Sequence, residues 1–168
     1  MSFRDRLVYD PHAGTYFDSG MRYIFIKPEA LMGIALELPE SQRFEIFEAM
    51  ARSVFKNGGK SARAYQSAGA NEAETLLAVI TETAGQLGWG KWTAELDEAC
   101  LRITVADSPF AAGYGDAPYP VCAPIAGMLR AISGMIFGTE TEVQETACTS
   151  MGAPACVFEA RPVESRTE

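Results

Sequence analysis

The spacing of apolar positions changes from helical to twofold along the chain, and these changes divide it into elements. Residues 21–27, Met-Arg-Tyr-Ile-Phe-Ile-Lys, are short, aromatic and β-branched, and predict a strand running up to Pro28. Pro28 suits the first turn of a helix, where its missing N–H leaves nothing unpaired, and Pro39 ends that helix after Leu38. From Ser41 to about Lys56, Phe44, Phe47, Met50 or Ala51, and Val54 recur at helical spacing, and Asn57-Gly58-Gly59 predicts the stop. A third helix is expected from Asn71, with Asn71 as cap and Glu74 reaching back to it. Its stripe is Ala73, Leu76, Leu77, Ile80, Ala84 and Leu87, and Gly88 is placed to end it.

The period then becomes twofold. Trp92, Ala94 and Leu96 alternate with Thr93 and Glu95; after a turn at Asp97-Glu98, Leu101, Ile103 and Val105 alternate with Arg102 and Thr104. This predicts an antiparallel hairpin with one face on the core. Residues 108–120 are rich in Gly, Ala and Pro and read as a long connecting loop. A fourth helix over 120–137 is apolar almost all round, which places it centrally, and Gly127 and Gly134 would let another backbone or a ligand come close. A last hairpin pairs residues 140–148 with 156–162 across a loop carrying Gly152 and Pro154. The result is an α+β fold, an antiparallel sheet of hairpins packed with about four helices. Residues 1–20 read as an N-terminal extension of loops with room for one edge strand, 21–162 as one domain, and 163–168 as a disordered tail, frayed from Glu164.

Composition narrows the function. The 168 residues are 48% hydrophobic and carry a formal charge of -8. No cluster of Lys or Arg interrupts that acidity, so a phosphate backbone would be repelled and nucleic-acid binding is not expected. No apolar run is long enough to cross a bilayer and none follows the N-terminus as a signal would, so a cytoplasmic protein without a membrane span is expected. In a reducing compartment the four cysteines stay free to bind metal.

Three of those cysteines and a glutamate form the pattern Cys122-x22-Glu145-x2-Cys148-x7-Cys156. Thiolates and a carboxylate are ligands of tetrahedral zinc, and four protein ligands leave no open position, which points to a closed, structural Zn²⁺ that pins the last hairpin. Cys122 falls in the first turn of the fourth helix, where the macrodipole would favour a thiolate. One demand follows: in a regular strand Glu145 and Cys148 face opposite sides, so the strand must bend or end between them. Cys100 reads as a small buried hydrophobe. His12, the sole histidine, sits in a loop and reads as a bland surface residue.

Ser108-Pro109-Phe110-Ala111 after a strand, Cys122 opening a glycine-containing helix, and the run Glu145-Thr-Ala-Cys148-Thr-Ser-Met-Gly152-Ala-Pro-Ala-Cys156-Val-Phe158 resemble the vinyl-reductase domain family. That family takes its name from bacteriochlorophyll biosynthesis, supplies sensory domains of bacterial activators that respond to phenols and other aromatics, and shares a fold with TRAPP vesicle-tethering subunits. The resemblance is sharpest over residues 89–158. It implies zinc held by three cysteines and a glutamate, here Cys122, Glu145, Cys148 and Cys156. It also implies an apolar ligand pocket between helices and sheet near the metal. The inward-facing residues Trp89, Trp92, Leu101, Ile103, Met128, Ile132 and Val143 are expected to line that pocket. The phenol sensors use a histidine and a tryptophan on the ligand hydroxyl, and His12 lies outside the matching region, so a less polar ligand is expected.

Three classes of function follow. The first is a zinc-stabilised sensor or carrier of a small hydrophobic or aromatic molecule, a homodimer as the family's sensors are, signalling through a separate partner because no ATPase or DNA-binding domain follows. The second is a tetrapyrrole vinyl reductase or its pigment-handling auxiliary. Against reduction, Gly88-Trp-Gly90 and Gly113-Tyr-Gly115 both lack the third glycine of a dinucleotide fingerprint. The third is a TRAPP-like scaffold.

Overall fold

In the computed structural model, which describes residues 2–67 and 69–163, the chain runs α1 (Phe3–Arg6), β1 (Val8–Asp10), β2 (Thr15–Asp18), β3 (Met21–Tyr23), α2 (Pro28–Leu36), α3 (Glu40–Ser67), α4 (Ala73–Gln86), β4 (Lys91–Leu96), β5 (Leu101–Ala106), α5 (Pro109–Tyr114), α6 (Ala123–Phe137), β6 (Thr141–Ala147), a 3-10 turn (Thr149–Met151) and β7 (Cys156–Pro162). The expected frayed tail from Glu164 lies outside the described residues. Both expected hairpins are present and join in one antiparallel sheet of order β4-β5-β7-β6. Its inner face presents Leu101, Ile103, Val105 and Phe158, all nearly or fully buried, against Ile125, Leu129 and Ile132 of α6. The outer face carries Arg102, Glu159 and Arg161 in an ion-paired row, so the helices cover one face only. No described helix is long and apolar enough to cross a membrane.

The N-terminal residues are more ordered than expected. Ser2 and Asp5 form a capping box that starts α1, and β1, β2 and β3 make a separate three-stranded antiparallel sheet. Asp10 turns the chain between β1 and β2 by accepting the His12 and Ala13 N–H groups. Arg6 donates two hydrogen bonds to the buried Asp18 carboxylate, tying α1 to the end of β2. The strand expected over 21–27 ends at Tyr23; Ile24, Phe25 and Ile26 leave the sheet and are 74%, 72% and 50% exposed.

Four further expectations are corrected. Helix α2 starts at Pro28 as expected but closes at Leu36, two residues early. Helix α3 does not stop at Asn57-Gly58-Gly59; it continues to Ser67. Two interior glycines cost a helix about 1 kcal/mol each relative to alanine, and packing decides here. A Cβ on Gly59 would lie 3.1 Å from Ala131 Cβ, and one on Gly58 would lie 2.6 Å from Met128 Cε. These glycines let α3 lie close against α6, the most extensive contact between elements in the molecule. The cap of α4 is Glu72, not Asn71, and no side chain bonds the free N–H groups there. The expected loop 108–120 contains α5, started by Ser108, whose hydroxyl accepts the Ala111 N–H, with Pro109 in the first turn. Its tyrosines are structural: Tyr114 and Tyr119 hydroxyls bond each other at 3.0 Å, and both rings pack on Phe47.

Candidate functional site

Four elements deliver the cysteine and glutamate side chains to one buried point. Cys122 is the residue that opens α6, Glu145 lies on β6, Cys148 follows β6 and opens the 3-10 turn, and Cys156 begins β7. The required bend is present. Glu145 pairs with Phe158, yet Ala147 pairs with Val157, so the β6–β7 ladder carries an irregularity between Glu145 and Ala147. The extra residue turns Cys148 to the inner side together with Glu145.

The three thiols are fully buried and free. Their sulfurs lie 3.6 Å (Cys122 to Cys156), 3.9 Å (Cys122 to Cys148) and 3.9 Å (Cys148 to Cys156) apart. A tetrahedron built on Zn–S bonds of about 2.3 Å has edges of about 3.8 Å, so these separations fit one tetrahedral ion. The four ligand atoms all lie within 4.8 Å of one another. Glu145 Oε2 accepts the Cys122 N–H at 3.0 Å, while its buried Oε1 has no hydrogen-bond partner. An orphaned carboxylate oxygen beside three thiols is costly unless a cation meets it. The donor set and its geometry therefore fit a metal.

Acidities in the cluster show the same tension. Burial, and then Cys148, push the Glu145 carboxyl up to about 8. The neighbouring Cys148 and Cys156 sulfurs, with burial, push the Cys122 thiol far up. Cys156 is pushed down by its contacts with the Cys122 and Cys148 sulfurs, with the Thr149 N–H donating to its sulfur at 3.4 Å and the Thr149 hydroxyl 3.5 Å away. The Cys122 side chain makes no capping hydrogen bond to the N–H groups that open α6. Sequence reasoning missed Ser108. Its hydroxyl lies 3.2 Å from Cys122 Sγ while it caps α5, and the Ser-Pro step after β5 is the signal that could have found it.

A cavity of about 260 Å³ opens between α3, α4 and Met128 of α6. Val54, Ile80, Leu87, Trp89, Trp92 and Met128 give it apolar walls. Tyr23, Ser61, Tyr65 and Thr83 supply hydroxyls, with the Ser61 hydroxyl donating to Met21 Sδ at 3.2 Å. Burial raises both phenols, which keeps them neutral hydrogen-bonding groups. Of the residues expected to line a pocket, Trp89, Trp92 and Met128 border this cavity. Leu101, Ile103 and Ile132 are sealed in the core between the sheet and α6. Val143 borders a separate cleft with Ala51 and Gly127. None of the four cluster residues lines the cavity, but α6 links the two, with Met128 fewer than two turns beyond Cys122. His12 is exposed in the β1–β2 turn and belongs to neither the cavity lining nor the cluster. Cys100 is buried outside the cluster.

Residues 101–162 match the model of the V4R domain. No curated protein matches the chain in sequence at a significant level. Among solved structures, the phenol-responsive sensory domain of the transcription activator PoxR, with phenol, superposes with a TM-score of 0.82 at 19% identity, covering 98% of this chain and 88% of that one. A trafficking protein particle complex subunit 3 from Naegleria fowleri, covalently bound to palmitic acid, gives 0.56 at 15% identity over 82% of this chain and 95% of that one. A vinyl-4-reductase family protein from Methanocaldococcus jannaschii gives 0.47 at 18% identity over 86% and 100%. At 19% and 15% identity, the likeness to the first two is one of fold.

Proposed function

We propose that this protein, which shares the V4R domain over residues 101–162 and the fold of a phenol-responsive sensory domain, is a zinc-stabilised module that binds a small hydrophobic or aromatic molecule. The observation that carries the reading is the cavity: apolar walls, two tryptophans, and a few hydroxyls able to orient one polar group are the usual make-up of a small-molecule site. Zinc would be held by the sulfurs of Cys122, Cys148 and Cys156 and by Glu145 Oε1. Bound there it supplies a closed crosslink between α6 and the β6–β7 hairpin, with no position open for catalysis. The residues that meet the ligand's polar group are the tyrosines, in place of the histidine used by phenol sensors.

Native mass spectrometry of the untagged protein tests both halves. One zinc per chain together with a co-purified apolar mass is expected. A chain with neither would remove the basis of the reading and bring the scaffold alternative forward; a bound porphyrin would favour the pigment-handling alternative. Trp89 and Trp92 are the two tryptophans of the chain and both border the cavity, so ligand binding is also expected to change the intrinsic fluorescence. Tyr65→Phe is expected to weaken a hydroxylated aromatic about fivefold, roughly one hydrogen bond, while leaving its hydroxyl-free analogue unchanged.

The reading includes a homodimer and a separate protein that receives the signal. Val8 and Phe17 are cross-strand partners on the three-stranded sheet and are 65% and 39% exposed; such a pair on a sheet face suits a self-complementary contact. Val8→Lys with Phe17→Glu is expected to halve the mass found by light scattering without lowering the melting temperature. An unchanged mass would place any dimer contact elsewhere.

A further inference from the structure

We infer that Gly58 and Met128 together set the size limit of the cavity, which takes a planar, mainly apolar molecule of about ten non-hydrogen atoms, larger than a single benzene ring. This rests on the ligand-binding reading above and narrows it. A dry apolar cavity of roughly 150 Å³ holds benzene, and the cavity here has about 260 Å³. Scaling by volume adds the equivalent of most of a second ring.

Gly58 and Met128 face each other across this wall. The backbone at Gly58 does not demand glycine, because it lies in a continuous helix and its φ is not among the positive ones. What glycine supplies is space. A Cβ there would come 2.6 Å from Met128 Cε and 3.3 Å from Val54 Cγ1. The helices cannot part to relieve the contact, since α3 and α6 are held together on either side, at Gly59 against Ala131 and at Gly127 against the Ala51 backbone. The methionine thioether, with its three freely turning bonds, would yield instead, and the space beside it is the cavity.

Calorimetric titration with phenol and 1-naphthol tests this, because the two probes share the hydroxyl and differ in size. Wild-type protein is expected to bind 1-naphthol at least about tenfold more tightly than phenol, from the extra apolar area buried. Gly58→Ala is expected to weaken 1-naphthol about tenfold and phenol by less than about twofold, and adding Met128→Ala to restore 1-naphthol to within about threefold of wild type. Met128→Ala alone is expected to tighten 4-phenylphenol about threefold, an arm that does not depend on the glycine variant. The melting temperature of Gly58→Ala is expected to be no lower than wild type, since alanine favours the helix. Equal loss of both probes in Gly58→Ala, no loss of either, or no gain for 4-phenylphenol would overturn the size wall. Wild-type protein that binds phenol as tightly as 1-naphthol would overturn it too, and leave the ligand-binding reading standing. Absence of binding by either probe, with no co-purified molecule, would remove both.

Discussion

Cys148→Ser is expected to lower the melting temperature by about 10 °C or more and to leave the purified protein with little zinc. The sulfur of Cys148 sits 3.9 Å from both other sulfurs, and its backbone carbonyl accepts the Met151 and Ala153 N–H groups that shape the loop between β6 and β7. Replacing the sulfur would remove one of the four proposed ligands and leave Glu145 Oε1 buried without a cation to meet it. Structural zinc contributes on the order of 10 kcal/mol in small zinc modules; loss of even a third of that, at about 3 °C per kcal/mol for a domain of this size, gives the stated shift. Calorimetry and elemental analysis of the same sample read the two halves together. Cys100→Ser is the control: Cys100 is buried but outside the cluster, so it is expected to cost only about 1 kcal/mol and to keep its zinc. A Cys148→Ser protein that melts with the wild type would show that the cluster does not stabilise the fold through a metal.

Local patterns that report on burial were legible in the chain; features decided by a distant partner were not. The alternation through Trp92, Leu101, Ile103 and Val105 gave both strands of the first hairpin, because each inward side chain packs on the same core. The requirement for a bend between Glu145 and Cys148 could be stated before any coordinates, since strand geometry alone imposes it, and the irregular β6–β7 register meets it. The end of α3 could not be read. Asn57-Gly58-Gly59 is a sound local stop signal, and it is overruled by α6, which lies some seventy residues further along the sequence and presses on those two glycines.

The cavity illustrates the same division. Trp89, Trp92 and Met128 stand out as apolar in the sequence, and Val54 and Ile80 sit in the helical stripes read there, but Tyr65 joins them only because α3 extends past its expected end, and Tyr23 comes from the end of β3. Leu101, Ile103 and Ile132 are as apolar as the cavity residues and point inward too; α6 fills the space over the sheet and leaves them no open surface. The hydroxyls of Tyr23, Ser61, Tyr65 and Thr83 that border the cavity thus all lie outside the segment 101–162 that matches the V4R domain. The cysteine–glutamate cluster and the cavity are separate in this chain, the first at the start of α6 and on the β6–β7 hairpin, the second mostly between α3 and α4, whose pairing no local pattern announces.

Gly127→Ala is expected to destabilise the protein by about 3 kcal/mol, whereas Gly134→Ala, two turns along the same helix, is expected to be neutral or to stabilise by up to about 1 kcal/mol. The two substitutions make the same chemical change, raise helix propensity equally and differ only in what the new methyl group meets. At Gly127 it would meet the Ala51 carbonyl oxygen and lie 2.9 Å from both Ala51 C and Cα, which are backbone atoms of α3 that cannot turn aside. At Gly134 the nearest atom is the Thr139 oxygen at 3.5 Å, an ordinary contact. Relief at Gly127 requires α3 and α6 to separate, and that separation would also loosen the wall formed by Gly58 and Met128 and tilt the helix that begins at Cys122. Urea unfolding of the two variants measures the difference in stability, and zinc content and 1-naphthol titration on the folded Gly127→Ala protein show whether the helix contact supports both sites. Equal stability of the two variants would mean that α3 and α6 are not in close backbone contact in solution, and the placement of the cavity wall would fall with it.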